Sequence, residues 1–348
     1  MTRLSARNQR MKILTRHEHN ASHFIYTGLG NAFRALGHEF QFWSTQNKPA
    51  FDIFDEYEPN LFIGQGYNLD RPTVKCIIER EEELKVLLKV GCFGPVCNDV
   101  DTEEYPILMA SEEEKKYVEV LLNILGDNLL LFNYVHDNRL KYLMEGWMDV
   151  GAKCYGLLPA ADTFVYKDVP AEDRLKCDLA FIGGYWPYKA RNFDKYLLPL
   201  CYPVGKYNIK IFGNQIWPVP QYLGTIDDNE VSNLFASATI CPNISEPHAN
   251  VFGFEVNERI FKLAANKAFF ISDPIASLTE DIFVNDEAVI ADNPEHFKDL
   301  VDTFLDNPSL RDTHVQKCYE TVMSKHTYTH RVNDIIQLLE IDACTKES

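Results

Sequence analysis

The amino-acid sequence predicts an α/β protein made of two doubly wound parallel sheets. Three observations support this fold class. Short apolar runs alternate with segments of helical periodicity along most of the chain. The alternation stops at a charged, proline-containing stretch and then starts again. A length of 348 residues is also about what two such domains need. We therefore expect two Rossmann-like domains.

In the first half of the chain, the predicted strands are short apolar runs and the predicted helices lie between them. The strands cover residues 12–15, 39–43, 61–63, 85–90, 129–135 and 155–158. The helices cover residues 21–36, 73–82, 112–125 and 139–150. In the first helix, apolar residues recur every three or four positions, which is the helical period. A regular exchange of strands and helices favours a parallel sheet.

The same exchange restarts in the second half. Its predicted strands cover residues 179–182, 209–212, 239–242, 268–272 and 288–290. Its predicted helices cover residues 193–200, 231–236, 257–265, 294–305, 310–324 and 331–340. The second half therefore has enough strands and helices for a sheet of its own.

The charged loop over residues 162–176 separates the halves, and we place the domain linker there. We expect a flexible arm over residues 1–10, a first domain over 11–162 and a second over 163–330. A C-terminal helix over residues 331–341 should pack back on the first domain. Ligands of such sheets bind beyond the carboxyl ends of the strands. Both sets of loops should therefore face a cleft between the domains.

The composition excludes several classes of function. There are 34 Lys and Arg against 51 Asp and Glu, a formal net charge of −17, which disfavours general binding to nucleic acid or anionic membranes. The nine cysteines are odd in number and lack C-x-x-C spacing, as expected of reduced thiols in a cytoplasmic protein without a zinc site. No apolar stretch is long enough to span a membrane. The first ten residues do not resemble a secretory signal.

The strongest local signal is a pair of glycines after a predicted buried strand. Gly183 and Gly184 let the backbone approach a phosphate closely, and a helix start nearby would favour negative charge. Lys189 and Arg191 follow before the predicted helix and add two positive charges. The pattern predicts a phosphate site, although a tight turn with exposed basic residues would have the same sequence.

A second basic cluster lies on the predicted helix over residues 257–265. Arg259 and Lys262 share a face of this helix, and Glu258 lies four residues before Lys262. Solvent-exposed ion pairs within the helix would explain these residues. Alternatively, the helix start, with Asn257, holds a phosphate or a ribose. The preceding loop over residues 243–250 begins at Asn243 and carries polar groups that suit sugar hydroxyls or an ordinary surface.

In the first half, His17 and His19 follow the first predicted strand directly, which is a ligand-facing position in a doubly wound sheet. A histidine can act as a general base near neutral pH. The pair could also bind a metal, but no third ligand is evident, and exposed histidines without a function are common.

Four segments of the second half resemble, in order, the CgeB-like glycosyltransferases, a group related to the two-domain GT-B glycosyltransferases. They are FIGGYWPYKAR, YLGTIDDNEVSNLFASATICPNIS, NERIFKLAANKAFFISD and HTYTHRV. The resemblance covers roughly residues 155–340. It implies the GT-B fold and a nucleoside-diphosphate sugar held by the second domain. Gly183 and Gly184 would approach the diphosphate or the sugar, and Lys189, Arg191 and Arg259 would contact phosphate.

The sequence departs from the family pattern at the acidic positions. Related retaining transferases use two glutamates eight positions apart to hold the donor sugar and the ribose. These positions fall on Phe254 and Lys262 here. Glu255 and Glu258 lie close by and could substitute for them. Retention of configuration is therefore one possible outcome, and inversion stays open.

The sequence thus predicts a glycosyltransferase that moves a sugar to an acceptor hydroxyl, with His17 or His19 contacting the acceptor. It needs neither a metal nor a further cofactor, because cations of the protein would neutralise the leaving diphosphate. The acceptor could be a glycan, a protein or a small molecule, whereas the charge disfavours modified nucleic acid. Two alternatives remain: a nucleotide-sugar epimerase of the same fold, and a degenerate, non-catalytic sugar-binding or structural protein. The oligomeric state stays open.

Overall fold

The computed structural model describes residues 10–16 and 22–345, with side chains up to residue 339. Apart from Arg10, the arm predicted over residues 1–10 lies outside the described residues. The chain divides into two compact units. Unit 1 comprises the residues up to Leu158 and those from Tyr328 onward. Unit 2 comprises Pro159–Thr327.

Unit 1 contains a parallel sheet. Its strands are β1 (Lys12–Arg16), β2 (Glu39–Trp43), β3 (Leu61–Gln65), β4 (Lys85–Lys89), β5 (Leu129–Asn133) and β6 (Lys153–Gly156). Their order is β2-β1-β3-β4-β5-β6, and all neighbours are parallel. Every residue of β3 and β5 is buried. Burial on both faces is typical of the central strands of a doubly wound sheet and explains their continuous apolar sequences.

The helices that follow these strands are amphipathic or short. They are α1 (His23–Ala35), α2 (Ala50–Tyr57), α3 (Arg71–Ile78), α4 (Val96–Asp99), α5 (Glu112–Leu125) and α6 (Leu140–Asp149). In α5, Ser111 caps the N-terminus by accepting a hydrogen bond from the backbone N–H of Glu114 at 3.1 Å. The four-residue helix α4 is too short to show a helical period and was not predicted.

Unit 2 contains a second parallel sheet. Its strands are β7 (Cys177–Ile182), β8 (Ile209–Phe212), β9 (Ala238–Asn243), β10 (Phe270–Ser272) and β11 (Val289–Ile290). Their order is β11-β10-β9-β7-β8. The helices of this unit are α7 (Pro187–Tyr196), α8 (Val231–Ser237), α9 (Pro247–Phe252), α10 (Arg259–Ala265), α11 (Pro294–Asp306) and α12 (Pro308–Lys325). The core joins Phe181 of β7 to Phe193 and Trp217.

Two helices of unit 2 differ from the prediction. α7 begins at Pro187 and not at residue 193, so Lys189 and Arg191 lie within the helix and not before it. The buried side chains of α7 begin only at Ala190, so apolar periodicity does not mark its first turn. α9 occupies part of the loop predicted over residues 243–250. Proline at its start and Gly253 with φ 72° just beyond its end are the usual marks of a short helix.

The last helix, α13 (Tyr328–Thr345), packs against α1 in unit 1. It begins three residues before the predicted start at residue 331. Tyr328 is buried, and a Cβ on Gly28 of α1 would lie 2.1 Å from its ring. Arg331 Nε donates a hydrogen bond to the carbonyl oxygen of Leu158 at 2.8 Å. Residues of the HTYTHRV segment therefore anchor the last helix.

Candidate functional site

The glycine pair lies at the carboxyl end of β7, in a turn that has no room for side chains. Gly183 N–H donates to the carbonyl oxygen of Phe212 at 2.8 Å, and its own carbonyl oxygen accepts from Trp217 Nε1 at 2.8 Å. A Cβ on Gly213 would lie 2.1 Å from that carbonyl oxygen. A Cβ on Gly184 would lie 2.5 Å from Asn214 Oδ1. The turn therefore depends on three glycines, and Gly213 was not singled out from the sequence.

The side chain of Arg259 lies beside this turn. Its guanidinium lies over the ring of Phe181 at 4.6 Å, and Nη1 donates to the carbonyl oxygen of Ile244 at 3.3 Å. A Cβ on Gly183 would lie 3.2 Å from Arg259 Nη2. The side chain is partly exposed, and among the described residues no carboxylate forms an ion pair with it. Desolvation lowers the pKa of Arg259 to about 10, so the group stays charged at neutral pH.

Lys189 and Arg191 project from the first turns of α7. Lys189 Nζ forms an ion pair with Glu246 Oε1 at 2.6 Å, and both side chains are about one-quarter exposed (25% and 28%). The guanidinium of Arg191 lies 5.7 Å from the ring centre of Tyr188. The structure thus places both predicted cations on the helix that follows the glycine turn, with the charge of Lys189 balanced by a carboxylate.

Lys262 and Glu258 form a buried ion pair and not the solvent-exposed pair that sequence alone allowed. Lys262 Nζ lies 2.8 Å from Glu258 Oε2, and the two side chains are only 11% and 10% exposed. Lys262 Nζ also lies 4.7 Å from the ring centre of Tyr166. Burial lowers the pKa of Lys262, but Glu258 and the Tyr166 hydroxyl outweigh it, so the pKa is raised. The two charges compensate each other within the fold.

Glu255 belongs to a hydrogen-bonded group that sequence reasoning did not find. Its Oε2 lies 2.6 Å from His248 Nε2, and His248 Nδ1 lies 3.0 Å from the hydroxyl of Tyr188. The rings of Tyr188 and His248 are stacked with centroids 5.8 Å apart and an angle of 8°. We call these three residues the Tyr-His-Glu triad. It links the first turn of α7 to α9 and to the segment before α10.

Asn243 and Asn257 lie in a polar network at the carboxyl end of β9. Asn243 Nδ2 donates to Ser272 Oγ at 2.9 Å, and Asn257 Nδ2 donates to Ser245 Oγ at 3.2 Å. Buried Asp273 accepts from the Ser245 backbone N–H at 2.9 Å and from its hydroxyl at 3.1 Å. Within the described residues, Oδ1 of Asn243 and of Asn257 are buried without a hydrogen-bond donor. These two oxygens could accept hydrogen bonds from a ligand.

The predicted residues of unit 1 cannot be placed in the same way. His17 and His19 lie outside the described residues. No three His, Cys, Asp or Glu side chains of the described segments come together as a group that could hold a metal ion. None of the described helices is both long and apolar enough to cross a membrane.

Comparisons with known proteins agree with this picture of unit 2. Residues 197–337, mostly in unit 2, match a family model described as "Glycosyl transferase-like". No curated protein matches the chain in sequence.

Solved structures with the same architecture have very different sequences. Sucrose-phosphate synthase from Thermosynechococcus elongatus has a TM-score of 0.63 and 11% identity, covering 97% of this chain and 100% of that one. An α-glucosyltransferase in complex with UDP and a 13-mer DNA has a TM-score of 0.64 and 11% identity, covering 95% and 100%. Anabaena Alr3699/HepE in complex with UDP and glucose has a TM-score of 0.58 and 11% identity, covering 95% and 100%.

At such low identity, the structural likeness establishes the fold, and it confirms the predicted GT-B class. The matched glycosyltransferase-like domain and this fold together confirm the predicted class of protein, a glycosyltransferase. The CgeB-like group is a finer assignment than the matched family model makes, and it stays a prediction.

Proposed function

We propose that this protein transfers a sugar from a nucleoside-diphosphate sugar to an acceptor hydroxyl, and that unit 2 binds the donor. The observation that carries the proposal is the position of Arg259. The residue is partly exposed, its guanidinium lies beside the Gly183 turn, and among the described residues it has no ion-pair partner. A charge held in this way is suited to bind a diphosphate, since arginine offers a planar fork of donors to phosphate oxygens.

The neighbouring groups of unit 2 fit the same ligand. Gly183 N–H is used by Phe212, so Gly184 supplies the backbone N–H of the glycine pair. Lys189 and Arg191 add charge from the start of α7, where the helix dipole also favours anions. In this proposal Lys189 exchanges Glu246 for a phosphate oxygen. Cations of the protein then stabilise the leaving diphosphate, and the reaction requires no metal ion.

Two further parts of the site complete the proposal. The buried oxygens of Asn243 and Asn257 would accept hydrogen bonds from hydroxyls of the donor. Unit 1 would bind the acceptor, with His17 or His19 contacting the reacting hydroxyl. Three solved proteins of this fold are a sucrose-phosphate synthase and two UDP-bound proteins, which makes a UDP-sugar the first donor to test. The CgeB-like group, retention of configuration and a cytoplasmic location belong to the same proposal.

One observation favours a second candidate, a nucleotide-sugar-binding protein without transferase activity. The resemblance implies a glutamate at the position of Lys262. Lys262 instead forms a buried ion pair with Glu258. A site without that glutamate could bind the nucleotide but fail to orient the sugar for reaction. Tight UDP binding without release of UDP from any UDP-sugar, with or without acceptors, would favour this candidate over transfer.

The test of the proposed function is the effect of Arg259 on UDP affinity. We expect Arg259→Ala to weaken UDP binding by about 1.5–3 kcal/mol, since a charge-assisted hydrogen bond is lost. Isothermal titration calorimetry measures this directly. Arg174→Ala is the matched control, because Arg174 belongs to the same unit but is exposed and paired with Glu172 and Glu230. Equal UDP affinity in the wild type and in Arg259→Ala would contradict the proposed site.

A further inference from the structure

The protonation state of the His248 imidazole determines the direction in which the hydrogen of the Tyr188 hydroxyl can point. When the imidazole carries one proton, Nε2–H donates to Glu255 Oε2 at 2.6 Å and Nδ1 accepts from the Tyr188 hydroxyl at 3.0 Å. When the imidazole carries two protons, Nδ1–H donates to the same tyrosine oxygen. The hydroxyl hydrogen must then point away from His248. The Tyr188 hydroxyl therefore donates to His248 when the imidazole is singly protonated. When the imidazole is doubly protonated, the hydroxyl donates outward, that is, away from His248.

The groups around the Tyr188 hydroxyl favour this change in the direction of its hydrogen. The backbone N–H of His248 donates to the tyrosine oxygen at 3.1 Å. In the doubly protonated state that oxygen accepts two hydrogen bonds, so both of its lone pairs are used and only its hydrogen remains to be placed. Burial raises the pKa of Tyr188 to about 12, so the group keeps its hydrogen across the neutral range.

The charged groups around the triad come from three segments. Arg191 lies over the ring of Tyr188 on α7. Glu246 lies just before α9 and is paired with Lys189. Glu255 lies in the segment before α10, and the ring of Phe254 lies 6.2 Å from that of His248. Glu255 is thus the acidic group in hydrogen-bond contact with His248.

The backbone holds Glu255 in this place at a cost. Its φ is 64°, in the left-handed region that residues other than glycine rarely adopt. Its neighbours Phe254 and Val256 are both buried, with exposures of 0% and 2%. Strained conformations of this kind persist where the surrounding structure fixes them, and they concentrate at functional sites. Here the strained backbone of Glu255 places its carboxylate in hydrogen-bond contact with His248.

We propose that the Tyr188 hydroxyl is a hydrogen-bond donor to the nucleotide diphosphate, and that His248 switches this donor on when it becomes doubly protonated. The inference rests on the proposed function, since Tyr188 lies on the first turn of α7 between the glycine turn and Lys189. With His248 doubly protonated, the outward hydrogen meets a phosphate oxygen. With His248 singly protonated, Nδ1 holds that hydrogen and the tyrosine oxygen presents only a lone pair to the anion.

The experiment measures UDP affinity by calorimetry at about pH 5.5 and about pH 8.5, because histidine is the side chain that commonly changes charge within this range. The quantity compared is the ratio of the dissociation constants of Tyr188→Phe and wild type at each pH. UDP itself titrates in this range, and the ratio removes that contribution. We expect a ratio of about 10 to 100 at the lower pH, the effect of one hydrogen bond to a charged group. At the higher pH the ratio should approach one.

A second variant, with position 248 changed, should lose the pH dependence of the ratio. His248→Phe keeps an aromatic ring stacked on Tyr188 but removes Nδ1 as an acceptor, so the hydroxyl can point outward at every pH. The double variant that combines His248→Phe with Tyr188→Phe is then compared with His248→Phe alone. The ratio of their dissociation constants should be about 10 to 100 at both pH values. Tyr207→Phe is the matched control, because its hydroxyl contacts Asp302 and Lys206 instead of the triad. It should change neither affinity nor pH dependence.

The outcomes are distinguishable from failure of the proposed function. If wild type binds none of UDP, ADP and GDP, the donor site and this inference both fail. If it binds one of them with a Tyr188→Phe ratio that is the same at both pH values, the switch is wrong while the proposed function stands. Melting curves of each variant show whether it is folded, and the conservative aromatic substitutions make a folded protein the expected result.

Discussion

Lys262 stands where the family resemblance implies a glutamate, and its buried ion pair changes how this position is interpreted. Its ammonium group lies 2.8 Å from Glu258 Oε2, and neither side chain is more than about one-tenth exposed (11% and 10%). In such a place the attraction between the two charges must offset the hydration that both lose. The stability of the pair therefore depends on both charges being present, because removing one takes away the attraction that offsets the lost hydration of the other.

This reasoning predicts the effect of removing one charge or both. Lys262→Met should lower the free energy of unfolding by about 3–5 kcal/mol, since buried Glu258 loses the ammonium group that lies 2.8 Å from it. The double variant Lys262→Met with Glu258→Leu should recover most of this loss. Urea denaturation of both variants and wild type measures the difference. Lys176→Met serves as control, because its pair with Asp173 is exposed and should contribute little. Equal losses in the single and double variants would contradict a buried-pair origin.

At the scale of residues, the sequence predicts which residues follow a strand or begin a helix. It does not predict which side chains contact each other in the folded chain. Gly183 and Arg259 were found because they follow a strand or begin a helix in a recognisable pattern. Tyr188 and His248 are sixty positions apart, and their hydrogen bond depends on how α7 packs against α9. The spacing of Glu258 and Lys262 shows that they pair, but burial, which decides what the pair does, depends on Tyr166 in another segment.

At the scale of elements, apolar periodicity located most strands and helices but not where α7 begins. The first turn of α7 holds Tyr188 and Lys189, and its buried residues begin only at Ala190, so there is no apolar stripe to detect. Pro187 at its start was the available signal, since proline is favoured at the first helical position. The same signal marks α9. In unit 2, the two helices that periodicity missed thus begin with proline and a polar residue, and not with an apolar stripe.

The docking of α13 on α1 gives a prediction for a pair of elements. An alanine in the middle of a helix normally stabilises it by roughly 0.5–1 kcal/mol relative to glycine. At Gly28 we expect the opposite sign, because the added Cβ would lie 2.1 Å from the ring of Tyr328. Gly28→Ala should therefore lower the melting temperature in a thermal denaturation experiment.

A double-mutant cycle isolates this contact. Tyr328→Leu removes the ring that the new methyl group would meet, so the combined variant should be less destabilised than the sum of the two single variants. Strict additivity would mean that α13 does not pack on Gly28 as the structure shows. A rise in melting temperature for Gly28→Ala alone would lead to the same conclusion.

At the scale of the whole molecule, the fold class could be predicted because it depends on a repeated pattern and not on single contacts. Strands such as β3 and β5 are buried at every position, and that burial is visible as apolar sequence. Ligand identity has no comparable signal. The charges of the candidate donor site are few, and the first half of the chain, where we expect the acceptor to bind, carries none of the four family-like segments.

The net charge of −17 still limits which acceptors are plausible, and it yields the last prediction. One protein of the same fold was solved in complex with a 13-mer DNA. For this chain we expect no DNA binding below about 100 µM protein at about 150 mM salt, because an acidic surface repels the phosphate backbone. Fluorescence anisotropy with a short labelled duplex measures this, and UDP titration of the same sample shows that the donor site is intact. Binding that is tight at about 50 mM salt and weakens steeply with added salt would reveal a basic surface and return nucleic acid to the possible acceptors.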